Sequence, residues 1–195
     1  MADDPKHIRD FKALCRGDVT LAGLSDIEAE LYGGSDRARA VLLASFVENA
    51  LQAFLQLKLR PSYPVKEYRL LFGAMAPIGT FSAKILLGYA FNWFGPDTYH
   101  DLNLIRELRN GFAHSRNSFP FETPEVAEVC KRLKAPDTGG SFIPKSYLEM
   151  VPIEELPAAS NKRHPRTRYL SACHTIAQRL LSNSGIVVGN MLDLP

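Results

Sequence analysis

The stretch Asp101-Leu-Asn-Leu-Ile-Arg-Glu-Leu-Arg-Asn-Gly-Phe-Ala-His114 reads as a helix with two unlike faces. At about 100° per residue, Leu104, Ile105, Leu108 and Phe112 gather on one side, which is the side that faces a core. Asn103, Arg106, Asn110 and His114 gather on the opposite side, and Arg109 flanks the two. A solvated face usually carries Lys and Glu. A ridge of Asn, Arg, Asn and His offers more: amide hydrogen bonds, a guanidinium fork shaped for phosphate, and an imidazole that titrates near neutrality.

The helices around it follow from caps and periodicity. Gly95-Pro96-Asp97 separates the motif helix, expected from about Thr98 to His114, from a preceding one. Thr80 is expected to cap that earlier helix, which runs to about Phe91 and is apolar nearly all round, hence central. Before it lie a turn, Gly73 to Gly79, and a short helix, Lys66 to Phe72. The longest helix is expected from Arg37 to Leu59, capped by Ser35 or Asp36 and stopped by Pro61 and Pro64. Its Leu43, Phe46, Val47, Ala50, Leu51, Phe54 and Leu57 recur at steps of three and four, the stripe of a helix buried along one side. Two helices precede it. One runs from Pro5 to Arg16, with Ile8, Phe11 and Leu14/Cys15 on one face and Gly17 as its cap. The other starts at Ser25, with Asp26 and Glu28 in its first turn, and ends at Gly33-Gly34.

Beyond the motif, Thr123-Pro124-Glu125 starts a helix ending near Lys134: a cap, a proline at the first helical position, an acid in the first turn. Residues 135–160 carry prolines at 136, 144, 152 and 157 and the Gly139-Gly140 pair, and read as a long irregular connection. It nevertheless holds Phe142, Ile143, Tyr147, Leu148, Met150, Val151 and Ile153, which are expected to pack across the bundle or onto a partner. A last helix, Pro165 to Leu181, follows a basic stretch, and Ile186-Val187-Val188 reads as an extended tail. No repeat and no strand alternation stands out. The fold class is therefore all-α: two N-terminal helices in 1–34, a helical core in 35–134, and an irregular segment with an appended helix in 135–195.

Composition narrows the function. Hydrophobic residues are 46% of the 195, enough for a sizeable core, and the net charge is only +2. No global field calls for nucleic acid or an acidic membrane, so any basic surface is local. Cys15, Cys130 and Cys173 are far apart, without C-x-x-C or zinc spacing, and read as reduced thiols. No metal site and no cofactor is expected. The N-terminus lacks a signal-type apolar run, and no apolar stretch reaches about 18 residues free of charge, so a cytoplasmic location is expected, with no membrane span. No helix-turn-helix with a polar recognition helix, zinc finger or basic zipper is visible.

Arg109-Asn110-x-x-x-His114 matches the R-polar-x-x-x-H signature of HEPN domains. Further blocks resemble the mannitol operon repressor family: Pro77-Ile-Gly-Thr-Phe-Ser-Ala-Lys-Ile85, Leu87-Gly-Tyr-Ala90, Tyr99-His-Asp-Leu-Asn-Leu-Ile-Arg106, Arg109-Asn-Gly-Phe-Ala-His-Ser115 and Ser118-Phe-Pro-Phe-Glu-Thr-Pro-Glu-Val126. The resemblance covers roughly residues 35–134. Gly111 departs from it, falling where these families often carry a larger polar residue. The resemblance implies a HEPN-like bundle and a homodimer whose motif helices meet. It also implies a regulator acting through a protein partner, without specific contact to duplex DNA. Its alternative implication is a metal-independent endoribonuclease acting on RNA.

In that alternative His114 would serve as base or acid, Arg109 would stabilise charge on phosphate, and Asn110 would hold the phosphate or orient the imidazole. Asn103 and Arg106 complete the ridge as binding residues. The residues equally admit a structural reading: a His in a last turn bonds free carbonyls, and an Arg bridges an acid such as Glu48 or Glu107. Glu48, inside the apolar run Phe46 to Leu51, needs a cationic partner, expected to be Arg106 or Arg109. Thr80 with Lys84 one turn later could hold an anion at a helix N-terminus, or be an ordinary cap. Asn161-Lys-Arg-His-Pro-Arg-Thr-Arg168 could touch phosphates, but reads foremost as a solvated linker.

Overall fold

Every described element is a helix or a turn, and the all-α expectation holds. The computed structural model describes residues 5–14, 19–31, 34–59, 65–138 and 159–182. Cys15, Gly17, Gly33, Pro61, Pro64, the 139–158 segment with its apolar side chains, and Ile186 to Val188 lie outside the described residues. The helices are α1 (Lys6–Leu14), α2 (Leu21–Glu30), α3 (Asp36–Leu59), α4 (Val65–Phe72), α5 (Phe81–Ala90), α6 (Pro96–His114), α7 (Pro124–Lys131), the single turn α8 (Ala135–Thr138) and α9 (Pro165–Ser182).

The spine is α3. The Ala38 N–H donates to Ser35 Oγ at 3.2 Å, so Ser35 is the cap, and Asp36 sits in the first turn. Leu43, Phe46, Val47, Ala50, Leu51 and Phe54 are buried as their spacing predicts. At the end of the stripe Leu55, four residues after Leu51, takes the buried place, and Leu57 stays 45% exposed. By length and composition α3 could also cross a membrane, but half of its most apolar stretch is buried inside the bundle.

Four readings change. First, α2 begins at Leu21 and not Ser25, because Thr20 caps it one turn earlier, accepting from the Gly23 N–H at 3.1 Å. Second, α5 is not central. Phe81 and Ile85 are buried, while Leu86 (59% exposed) and Tyr89 (40%) face outward, as does Phe91 just beyond its end. Third, Thr123 occupies the cap position of α7 without a side-chain hydrogen bond, and the helix ends at Lys131 rather than Lys134.

The fourth change is the largest. The C-terminal helix α9 is not an appendage but packs along α3, with α7 and α6 also against it. Tyr169, Ala172, Cys173, Ile176, Ala177 and Leu180 repeat at three and four, and each is at most 1% exposed. Tyr169 Oη donates to the Ala40 carbonyl at 2.7 Å, joining α9 to α3 by a buried bond. Nor is the basic stretch 161–168 a solvated linker throughout: Asn161, Lys162 and Arg163 are exposed, but its last cations belong to the first turn of α9 and are engaged. Arg166 lies 3.0 Å from Asp36. Arg168 is 8% exposed: it binds Asp137 and donates to the carbonyls of Cys130 and Leu133. These bonds cross the expected boundary at 134/135, which therefore does not separate two packing units.

Candidate functional site

The motif helix α6 is positioned by its own buried carboxylate. Asp101, 1% exposed, accepts from the Lys134 N–H (3.0 and 2.9 Å), the Ala135 N–H (2.6 Å) and His100 Nδ1 (3.0 Å). Its neighbours Leu102, Ile105, Leu108 and Phe112 complete the buried face, with Leu104 partly buried beside them. The other end is held by α3. Arg37 Nη2 donates to the carbonyls of Ser115 (2.9 Å) and Asn117 (3.0 Å), fixing the chain just after His114. Asp36 accepts from the Phe121 N–H at 2.9 Å. Neither role was evident in the sequence. The only signal is an acidic and a basic side chain side by side at the start of the longest helix.

On one flank of α6 lies an ionic triad. Glu48 of α3 accepts from Lys84 Nζ at 2.8 Å and from Arg109 Nη2 at 3.1 Å. The expected Glu48–Arg109 pair is present; Arg106 is not the partner. Lys84 is 4% exposed, so it is no anion-binding residue at the start of α5: burial obliges its ammonium to pair, and Glu48 is what it meets. Thr80 is the ordinary cap, accepting from the Ala83 N–H at 3.2 Å.

The ridge itself is only partly free. Asn103 Nδ2 donates to the Tyr99 carbonyl at 2.9 Å, one turn back in its own helix. Arg106 Nη2 reaches Glu107 at 2.6 Å. Asn110 is half-buried and His114 exposed, and neither has a side-chain partner among the described residues. The structure thus brings Asn110 and His114 together at one end of α6. Arg109 lies on another face of α6, held against Glu48.

The opposite flank of α6, toward α7, holds an apolar groove of about 210 Å³ lined by Leu108, Gly111, Phe112, Phe119, Val126 and Val129, with Glu107 and Glu125. A second, more polar pocket of about 430 Å³ lies between α7 and α9, lined by Pro124, Ala127, Lys131, Arg163 and Arg168 with the acids Glu128 and Asp137. Arg168 holds the Asp137 carboxyl below its ordinary range through their hydrogen bonds. The two described thiols offer no nucleophile: burial pushes Cys130 up to about 12 and Cys173 further upward. Among the described residues no cluster of three or more His, Cys, Asp or Glu side chains gathers.

Compared with known proteins, the chain matches no family model, no curated protein and no solved structure.

Proposed function

We propose that this chain is a regulatory protein of the mannitol operon repressor kind, working through protein partners and without specific contact to duplex DNA. The observation that supports it best is the engagement of Arg109. A guanidinium that serves phosphate must present its fork to the ligand. This one is held at 3.1 Å by a carboxylate of α3 that also neutralises a buried lysine. Asn103 and Arg106 are likewise engaged within α6. What the ridge offers a second molecule is Asn110 and His114, a small polar docking surface beside an apolar groove. In this reading two copies pair with the ridge at or beside their interface, the commonest form of closed oligomer. Light scattering should then give a dimer mass at micromolar concentration.

The deciding experiment is incubation with labelled RNA in EDTA, comparing wild type with His114→Ala. Neither should cut above background, and footprinting at physiological salt should show no protected DNA sequence. The second reading is a metal-independent endoribonuclease. It is favoured by one observation: His114 stands exposed at the end of α6, next to an unengaged amide. That reading needs Arg109 to leave Glu48. RNA cleavage that persists in EDTA and vanishes with His114→Ala would establish it in place of the first.

A further inference from the structure

Glycine inside a helix costs about 1 kcal/mol relative to alanine, so each such glycine calls for a reason. At Gly88 in α5 the reason is internal. A Cβ there would stand 2.3 Å from Cε1 of Phe94, whose ring is fully buried. At Gly111 in α6 the described residues give no such reason: a Cβ would have nothing within 4 Å among them. None of the described residues excludes a side chain at that position. What its absence does is leave the groove between α6 and α7 open.

The chemistry of that groove is specific. Its inner surface is carbon, with Phe119, Val126 and Val129 partly exposed over the buried Leu108 and Phe112, and its volume of about 210 Å³ suits one large side chain rather than a whole helix. Among the described residues the two charged ones that line it, Glu107 on α6 and Glu125 on α7, are acidic, and no lysine or arginine lines it. Glu107 meets Arg106, while Glu125 has no ion-pair partner among the described residues. An apolar slot between carboxylates is complementary to an apolar residue flanked by cations.

We propose that this groove receives one large apolar side chain, leucine, methionine or an aromatic, of a protein partner that presents it between lysine or arginine residues. The proposal rests on the reading of the chain as one that works through protein partners, and it names the partner's recognition element. Gly111 is then the position at which the partner's backbone or side chain comes closest. A single anchor residue in a desolvated pocket is the usual centre of such an interface, and the carboxylates set specificity and salt dependence.

The test is selection of short random peptides on phage against the full chain, followed by fluorescence anisotropy with the synthetic winners. Winners should carry the apolar residue between basic ones, and binding should weaken as salt rises. Gly111→Phe fills the groove from within, and should weaken binding at least about tenfold while thermal unfolding by circular dichroism stays unchanged or rises. Glu125→Lys, an exposed substitution, should weaken binding comparably. Winners that bind wild type and both variants equally would overturn the groove while leaving the partner reading intact. Winners without basic flanks would overturn the charge argument and with it the proposal. A dimer in light scattering that Gly111→Phe converts to monomer would show the groove occupied by a second copy, and would overturn the proposed partner. Failure to enrich any peptide would also overturn the proposal. Only if the RNA assay were positive as well would the regulatory reading fall with it.

Discussion

Glu48 is the residue on which three helices depend. It neutralises Lys84, which has almost no solvent, and it holds Arg109. Removing one member of a buried ion pair leaves a charge uncompensated, at a cost of about 3–5 kcal/mol. Glu48→Ala should show that loss in urea denaturation. Lys84→Met should cost far less, because Arg109 still satisfies the carboxylate and the apolar chain suits the site. Equal losses for both would mean that the triad is not organised around Glu48. The two helical glycines give an opposed pair. Gly88→Ala should destabilise by about 1–3 kcal/mol, since the rigid Phe94 ring cannot give way. Gly111→Ala should stabilise by about 1 kcal/mol, the helix propensity regained without a clash. A stability loss at Gly111 would remove the claim that none of the described residues requires glycine there.

Among the elements, α9 carries the most consequence for chemistry, because it and α7 bury the two described thiols. Cys130 and Cys173 are fully buried, and burial raises both. A neutral thiol favoured by folding binds its proton more tightly in the native state. Cys130 therefore contributes stability that is fully present below its unfolded value, 9.0, and is lost as pH rises toward about 12. Alkylation with iodoacetamide at pH 8, mapped by mass spectrometry, should leave both residues unmodified in the folded chain and modify both in denaturant. Rapid native labelling of Cys173 would contradict its place under α3. The C-terminal turn of α5 shows the same dependence on context. Asn92 takes φ 56, and the N–H groups of Asn92 and Trp93 close the helix on Tyr89 and Gly88 (2.9 Å each). The turn directs Phe94 back onto Gly88.

At the scale of the whole molecule, α9 decides whether the bundle exists. A chain ending at residue 158 would uncover the α3 face that α9 packs against. It would also leave the carbonyls of Cys130 and Leu133 without the Arg168 guanidinium. Such a chain should lose cooperative thermal unfolding by circular dichroism. A sharp transition in that truncation would restore a free-standing 35–134 core.

What the sequence determined by itself was local. Helix positions followed from caps such as Ser35 and Thr80 and from the three-and-four spacing of Leu43 through Phe54, because both are set by contacts within one or two turns. The Arg109–Glu48 pair was within reach too, since a carboxylate inside an apolar run has few ways to be satisfied. Three things required the tertiary structure. Lys84 looks like an exposed cation on a cap, and only the approach of α3 to α5 turns it into a buried one. Arg166 and Arg168 look like a solvated run, and only the docking of α9 gives them Asp36, Asp137 and the carbonyls of Cys130 and Leu133. Gly111 looks like a weak point in a helix, and only the placement of α7 makes it the open side of a groove. In each case the deciding neighbour lies on another element, beyond the reach of helical periodicity, and no local pattern encodes which helix it will meet.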